Sequence, residues 1–340
     1  MGKKVLVGLS GGVDSAVAAY LLQQQGYEVE GVFMKLHTNT ATYKEELQKA
    51  QKVADELQIV LHVYDVEKAF EEKVIAPFLQ EYQSGKTPNP CAVCNKIFKF
   101  GAMDEFRQKI SADFLATGHY VVCDGEFFYQ AKDDTKDQSY FLFDVNPKLL
   151  QHILFPLAQY TKEHIKKIAA NIQGLEYTAT QKESHDICFV QNSYTDVLKE
   201  YHIAVDNEGE VLNQSGEVIG KHKGYMHYTI GKRRGFDVFV AHEPHYVLKI
   251  LPQTNQIVVG KKDELLIKEV VLENINMFTN TQQFCAEIKL RYRSKPIPCN
   301  VEIQENKAYV TLNEGVFGIA PGQAGVLYDN DKLLGGGWIL

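Results

Sequence analysis

A chain of 340 residues with 45% hydrophobic and 23% charged content has room for two or three packed domains. Its formal charge of −7 excludes a nucleic-acid binder held by bulk charge, although local patches override net charge. No run of about 18 apolar residues occurs, so no membrane span is expected, and six cysteines are too few for a disulfide scaffold and suit a reducing, cytoplasmic compartment. The start Met1-Gly2-Lys3-Lys4 leads straight into a strand and predicts no signal peptide.

Val5 to Leu9 reads as a short buried parallel strand. Ser10-Gly11-Gly12 makes a turn, and an amphipathic helix runs from Val13 to Gln25 until Gly26 stops it. Strand, glycine turn and helix together point backbone N–H groups at an anion. The two glycines let the backbone approach phosphate oxygens, and Ser10 and Ser15 add hydroxyls. The loop lacks the lysine of a Walker motif and the spacing of a dinucleotide fingerprint. It resembles instead the Ser-Gly-Gly-x-Asp-Ser loop of the ATP pyrophosphatase superfamily. Members of that superfamily split ATP between the α and β phosphates and adenylate a carbonyl oxygen.

Further strands are expected at 27–34 and 59–64, with helices at 42–57 and 66–84. This alternation means a doubly wound parallel sheet with ligands outside the C-terminal ends of its strands. Met34, ending the second strand, sits near a nucleotide base or fills the core. Residues 85–95 form an extended loop set by Pro88 and Pro90, and 96–108 look helical. Cys94 then falls in the first turn, where the helix dipole is expected to lower its pKa. Cys91-x-x-Cys94 reads as a zinc half-site without a second pair, or as a redox pair with unusual flanks. A strand over 113–117 ends in Gly118-His119. A hairpin turns at Asp124-Gly125, and 135–142 mixes charge, amide and aromatic groups suited to phosphate and sugar. A helix covers 161–171. Cys188 follows His185 and Asp186 in a polar turn, where reactive and inert thiols are both compatible with the composition.

Beyond about 203 the texture becomes short alternating strands with Gly, Asn and Asp turns. The basic, tyrosine-rich stretch 222–235 suits a nucleic-acid backbone or a charged hairpin rim. Residues 263–340 predict a small closed β-barrel, with Arg291-Tyr292-Arg293 on one strand and a turn at 321–324. Four of the five arginines fall in two clusters, 233–234 and 291–293, as phosphate contacts do.

Taken together, the pyrophosphatase loop, Thr87-Pro88-Asn89-Pro90-Cys91 with Cys94-Asn95, Gly118-His119, Asp137 to Leu142, Ile187-Cys188-Phe189 and Tyr228-Thr229-Ile230-Gly231 carry a stronger resemblance. In this order and over nearly the whole length, the chain resembles the bacterial tRNA-specific 2-thiouridylases. The resemblance implies an α/β fold. A doubly wound parallel sheet of the adenine nucleotide α-hydrolase-like kind spans 1–202, a small central β-rich domain 203–262, and a C-terminal barrel that contacts tRNA 263–340. It implies exchange of the wobble uridine 2-oxygen for sulfur, driven by ATP with Mg2+ and no tightly bound metal or organic cofactor. Its partners are the tRNA anticodon stem-loop and a cysteine desulfurase or sulfur-relay protein, with no membrane involved.

Carried over residue by residue, the resemblance gives ATP to Gly8, Leu9, Ser10, Gly11, Gly12, Val13, Asp14, Ser15, Met34 and Gly118. The target base falls to Asn89, Pro90 and Cys91. The tRNA falls to His119, Lys136, Asp137, Gln138, Arg291, Tyr292 and Gln323. Cys94 matches the family nucleophile and Cys188 the persulfide carrier. Some relatives carry Asp where Cys91 stands, so Asp186 or Asp14 become alternative acid/base groups, and Cys91 could compete for a disulfide. Two rival readings are an amide ligase with the same loop, which needs no paired thiols, and a non-catalytic RNA binder with zinc on Cys91 and Cys94.

Overall fold

The computed structural model describes residues 2–36, 40–181, 187–190, 192–239 and 243–340. Its first layer is built from β1 (Lys4–Gly8), α1 (Val13–Gln24), β2 (Glu28–Lys35), α2 (Thr40–Glu56), β3 (Leu61–Asp65), β4 (Phe114–Ala116), β5 (Val122–Cys123), β6 (Phe128–Tyr129) and β7 (Ile153–Leu154). Five of these strands form a parallel sheet in the order β3-β2-β1-β4-β7. β1 is central: Val5 lies opposite both Val29 and Phe114, and Val5, Leu6 and Val7 are fully buried. Side chains alternate across a strand. Val5 and Val7 therefore pack with Ala16 and Ala19 of α1 and Ala50 and Val53 of α2. Leu6 faces the other way, onto Val32, Phe100 and Met103.

That second face is covered by a helix over 90–109, and a helix over 67–83 packs against that helix through Phe70 and Phe98. Each contains a π-helical segment, Glu71–Ile75 in one and Asn95–Ala102 in the other. The helix expected at 161–171 spans Lys162–Ala170, with Thr161 accepting from the His164 amide at 3.3 Å as its N-cap.

The middle of the chain forms a five-stranded sheet from β8 (Gly209–Leu212), β9 (Val218–His222), β10 (Phe236–Val238), β11 (Tyr246–Leu251) and β12 (Gln256–Gly260), in the order β10-β9-β8-β12-β11. Val211, Tyr228, Val247, Ile257 and Val259 give it a core of its own. The last strands are β13 (Leu266–Met277), β14 (Gln283–Lys289), β15 (Ile297–Gln304), β16 (Lys307–Phe317), β17 (Ala324–Asp329) and β18 (Lys332–Ile339). They run in the order β13-β16-β15-β14-β17-β18, and β13 pairs back onto β18 to close a six-stranded barrel.

Two features depart from the sequence expectation. The Arg291-Tyr292-Arg293 cluster is not on a strand, because β14 ends at Lys289. The Ser294 hydroxyl accepts from the Arg291 amide at 3.3 Å and the Ser294 amide donates to the Arg291 carbonyl at 3.1 Å, which closes a turn before Pro296. The hairpin at Asp124-Gly125 is present, but it joins the barrel sheet: Tyr129 of β6 pairs with Lys332 of β18. The first and last layers therefore share one core. Phe128, Tyr140 and Phe143 pack in one cluster with Ala324, Val326, Tyr328 and Leu333. Fully burying one large apolar side chain contributes roughly 1.5–3 kcal/mol, so this seam is a fixed joint.

Candidate active site

The loop after β1 takes the shape its glycines allow. Gly11 has φ +78°, and a Cβ there would lie 2.5 Å from Lys49 Cβ and 2.7 Å from the Ala50 amide nitrogen. Gly12 is the N-cap of α1 and offers no side chain to the amides of the first turn, so those donors remain for an anion. The Ser10 amide donates to Ser15 Oγ at 3.2 Å, and Ser15 Oγ donates to the Gly12 carbonyl at 3.0 Å, which fixes the turn from inside. Gly118, at the end of β4, meets this turn from the side. A Cβ there would sit 2.9 Å from the Asp14 carbonyl carbon and 3.0 Å from the Ser15 nitrogen. Asp14 accepts from Lys162 Nζ at 2.7 and 2.6 Å and from the Tyr120 hydroxyl at 2.8 Å. Met34 is half-buried between the two apolar clusters that meet at the strand ends.

Cys94 sits in the one-turn helix Pro90–Cys94, which Asn89 caps by accepting from the Ala92 amide at 3.3 Å. The extended loop expected over 85–95 ends at Asn89: Pro90 opens the helix, because a proline at the first helical position gives up no needed N–H, so Cys94 is the fifth helical residue, and the thiol's acidity departs from expectation as well. Cys94 is buried among Phe70, Phe78 and Phe98, and burial pushes its thiol up to about 12. Desolvation outweighs the helix dipole, which falls off within a turn. Lys99 pulls the value back, while Cys188 and Cys91 raise it further, so the three sulfurs feel one another. Ile187, Phe189 and Val190 pack into the same cluster, with Phe189 against the rings of Phe70 and Phe78. This apolar anchoring brings Cys188 to Cys94 from 94 positions away along the chain. Cys188 is exposed, yet dense packing around its sulfur raises its thiol as well. Exposure governs reagent access there, and packing governs charge. The run 183–186, including Asp186, lies outside the described residues.

The barrel braces the loop that leads into the Pro90–Cys94 helix. Gln323 Nε2 donates to the carbonyls of Thr87 at 3.0 Å and Pro88 at 3.1 Å, and the Thr87 amide donates to the Pro321 carbonyl at 2.9 Å. The Tyr140 hydroxyl donates to the Ala324 carbonyl at 2.9 Å. Asp137 is buried and accepts from the Ala131 amide and both Ser139 donors, so it holds the loop rather than facing solvent. The Gln138 side-chain Oε1 accepts from the Tyr120 amide at 3.1 Å, and Lys136 is half-buried on the same loop. His119 is 6% exposed, with Nδ1 2.6 Å from Thr117 Oγ1, and burial beside Lys99 depresses its pKa well below the usual histidine range. Tyr292 lies against Phe141, while Arg291 is exposed at the barrel turn and donates to the Gly318 carbonyl. Arg233 and Arg234 are exposed beyond Gly231.

Two residues escaped the sequence reading. Lys162 has no motif around it and is recognisable only by its ion pair with Asp14. Lys99 carries no signal either, since five residues after Cys94 is the far side of an ordinary α-helix and only the π-helical winding brings it round. Among the described residues, no group of three His, Cys, Asp or Glu side chains is arranged for a metal ion, and no helix is long and apolar enough to cross a membrane.

Family models match the chain end to end. A tRNA methyl transferase HUP domain covers residues 3–192, a tRNA methyl transferase PRC-barrel domain 195–261, and an aminomethyltransferase β-barrel domain 263–339. The tRNA-specific 2-thiouridylase MnmA of Sulfurimonas denitrificans is 58% identical over 339 residues, covering 100% of this chain and 99% of its own. Its counterpart from a Nitratiruptor species is 52% identical with 100% of both chains covered. One from Campylobacter jejuni is 50% identical over 99% of each. With this fold, this glycine turn and these neighbouring thiols, the chain belongs to the tRNA-specific 2-thiouridylase family.

Proposed function

We propose that this enzyme activates the 2-oxygen of a tRNA wobble uridine with ATP and replaces it with sulfur carried on Cys188. One observation carries the reading: an unbroken run of neighbours links the glycine turn to the thiols. Gly118 abuts Asp14 and Ser15, His119 adjoins it and meets Lys99, and the charge of Lys99 reaches both Cys94 and Cys188.

A uracil carbonyl oxygen is a very poor leaving group. Its attack on the α-phosphorus of ATP expels pyrophosphate and turns it into an AMP ester, which leaves readily. The amides of Gly11 to Ser15, with the Ser10 hydroxyl, hold the phosphates on this reading, the Ser15 hydroxyl bracing the turn from inside, and Gly8, Leu9, Met34 and Gly118 border the adenosine. Lys162 holds Asp14 in place at the turn. Magnesium, arriving with the nucleotide, would offset phosphate charge. The terminal sulfur of a Cys188 persulfide attacks C2 and expels AMP. Cys94 then attacks the Cys188 sulfur, which leaves the new sulfur on the base and a Cys94–Cys188 disulfide for an external dithiol to reduce. Released sulfide attacking C2, after Cys94 cleaves the persulfide, gives the same products. Asn89, Pro90 and Cys91 border the base. Lys136, Arg291 and the 233–234 pair meet tRNA phosphates, while His119, Asp137, Gln138, Tyr292 and Gln323 shape the backbone that carries those contacts.

The test is mass spectrometry of tRNA nucleosides after incubation with ATP, cysteine and a cysteine desulfurase. Oxygen-for-sulfur exchange at the anticodon uridine is expected, with pyrophosphate released only when tRNA is present. Pyrophosphate release without sulfur gain would favour the ligase reading. Stoichiometric zinc without pyrophosphate would favour the RNA binder.

A further inference from the structure

We infer that Lys99 is the cation that serves both thiols, held between the nucleotide side and the sulfur side of the site by His119. The inference rests on the thiol chemistry proposed above, and none of the sequence motifs singles this residue out.

Three separate observations carry it. In an ordinary α-helix, residues five apart lie about 140° away from each other around the axis. The segment Asn95–Ala102 is π-helical, and its i to i+5 winding turns Lys99 back toward the face that carries Cys94. Such π segments inside helices recur at functional sites. The second observation is that Lys99 Nζ lies 3.4 Å from His119 Nε2, while His119 Nδ1 lies 2.6 Å from Thr117 Oγ1. Buried and held neutral, this imidazole donates from Nδ1 to Thr117 and offers the Nε2 lone pair to the ammonium. The third is that Lys99 acts on both sulfurs in the same sense. It favours thiolate at Cys94, where burial, Cys188 and Cys91 oppose it. It favours thiolate at Cys188, where the protein packed around the sulfur and Glu46 of α2 oppose it. Cys94 and Cys188 feel this cation from two stretches of chain, whereas His119 touches it from the loop after β4.

The role follows from the chemistry. Each thiol spends part of the cycle as an anion: Cys188 when it accepts or releases sulfur, Cys94 when it attacks. In a desolvated cluster a thiolate needs a fixed counter-charge. A single shared cation offers it to either sulfur, depending on which of them is charged.

The test is the alkylation rate of Cys94 and Cys188 between pH 7 and 10, followed by peptide mass spectrometry in the full-length enzyme. K99M is expected to slow both thiols about tenfold at a given pH, the equivalent of one pH unit. Single-turnover sulfur transfer should fall similarly and recover at higher pH, with ATP affinity unchanged. K99R should retain most of the wild-type rate. H119Q, which keeps the charge but loosens its seat, should shift the same profiles by less. Unchanged alkylation of both thiols in a folded K99M would overturn the inference, as would a loss of transfer that neither pH nor arginine restores. Should K99M fail to fold, the same readings on K99Q decide. If the wild type transfers no sulfur yet K99M still slows alkylation, the functional reading fails and the role of Lys99 stands.

Discussion

The glycine turn and the thiol cluster lie side by side but are built in opposite ways. The turn is made by consecutive residues: Ser10 to Ser15 bond to one another, and a steric limit at Gly11 sets the path. The cluster is made by distant ones. Cys94 comes from the Pro90–Cys94 helix, Cys188 from a segment anchored by Phe189, and the loop beneath is tied down by Gln323 of the barrel. A contiguous site is closed by its own hydrogen bonds, with α2 and Lys162 packed against it, whereas an assembled one inherits every joint between layers. The two halves should therefore fail independently.

Removing a sulfur has the largest expected effect. Cys94→Ser should reduce sulfur transfer on the order of 10³-fold or more, while tRNA-dependent pyrophosphate release persists. Equal loss of both would mean that the halves are not separable. Gly11→Ala comes next, since it forces a left-handed φ on a residue with a Cβ and drives that carbon into α2. ATP affinity should fall about 100-fold by calorimetry, roughly 2.7 kcal/mol, with the alkylation of Cys94 unaltered. Gln323→Ala frees two carbonyls under the thiol loop, at a cost of about 1–2 kcal/mol. Sulfur transfer should drop about tenfold with ATP affinity intact; a matching drop in ATP affinity would break the comparison. The smallest effect concerns pH. Because His119 titrates far lower folded than unfolded, the unfolded chain binds an extra proton below about pH 6.5. Stability is thus complete above that value and falls by about 1.4 kcal/mol per pH unit beneath it. His119→Gln should reduce the slope by about one proton's share in urea melts at pH 6.5, 6.0 and 5.5, leaving the smaller part that His222 and His227 contribute, and an identical slope in the variant would place the proton elsewhere.

The same contrast explains what the amino-acid order discloses. Val5 to Leu9 followed by Ser-Gly-Gly is interpretable without a fold, because the constraint is local. The barrel is also legible, since alternation in Ile297, Cys299 and Val301 marks an inward face. The acidity of Cys94 is not, because it depends on Phe70, Phe78 and Phe98 arriving around it. Nor is the placement of His119 and Asp137, whose polarity suggests surface contact while their partners Thr117, Lys99 and Ser139 keep them inside. The Arg291 turn is a subtler miss: a one-residue hydroxyl bridge from Ser294 ends a strand that hydrophobic pattern alone would continue.

The pairing of Tyr129 with Lys332 also bears on how the protein is made. The hairpin emerges early in translation, but its sheet neighbour emerges 203 codons later. At about 5–20 residues per second, that is a delay of roughly 10–40 s. For that interval the apolar side of Phe128 and Phe143 waits uncovered on the ribosome. Nascent chains of this enzyme should therefore lean on holding chaperones until the barrel is complete.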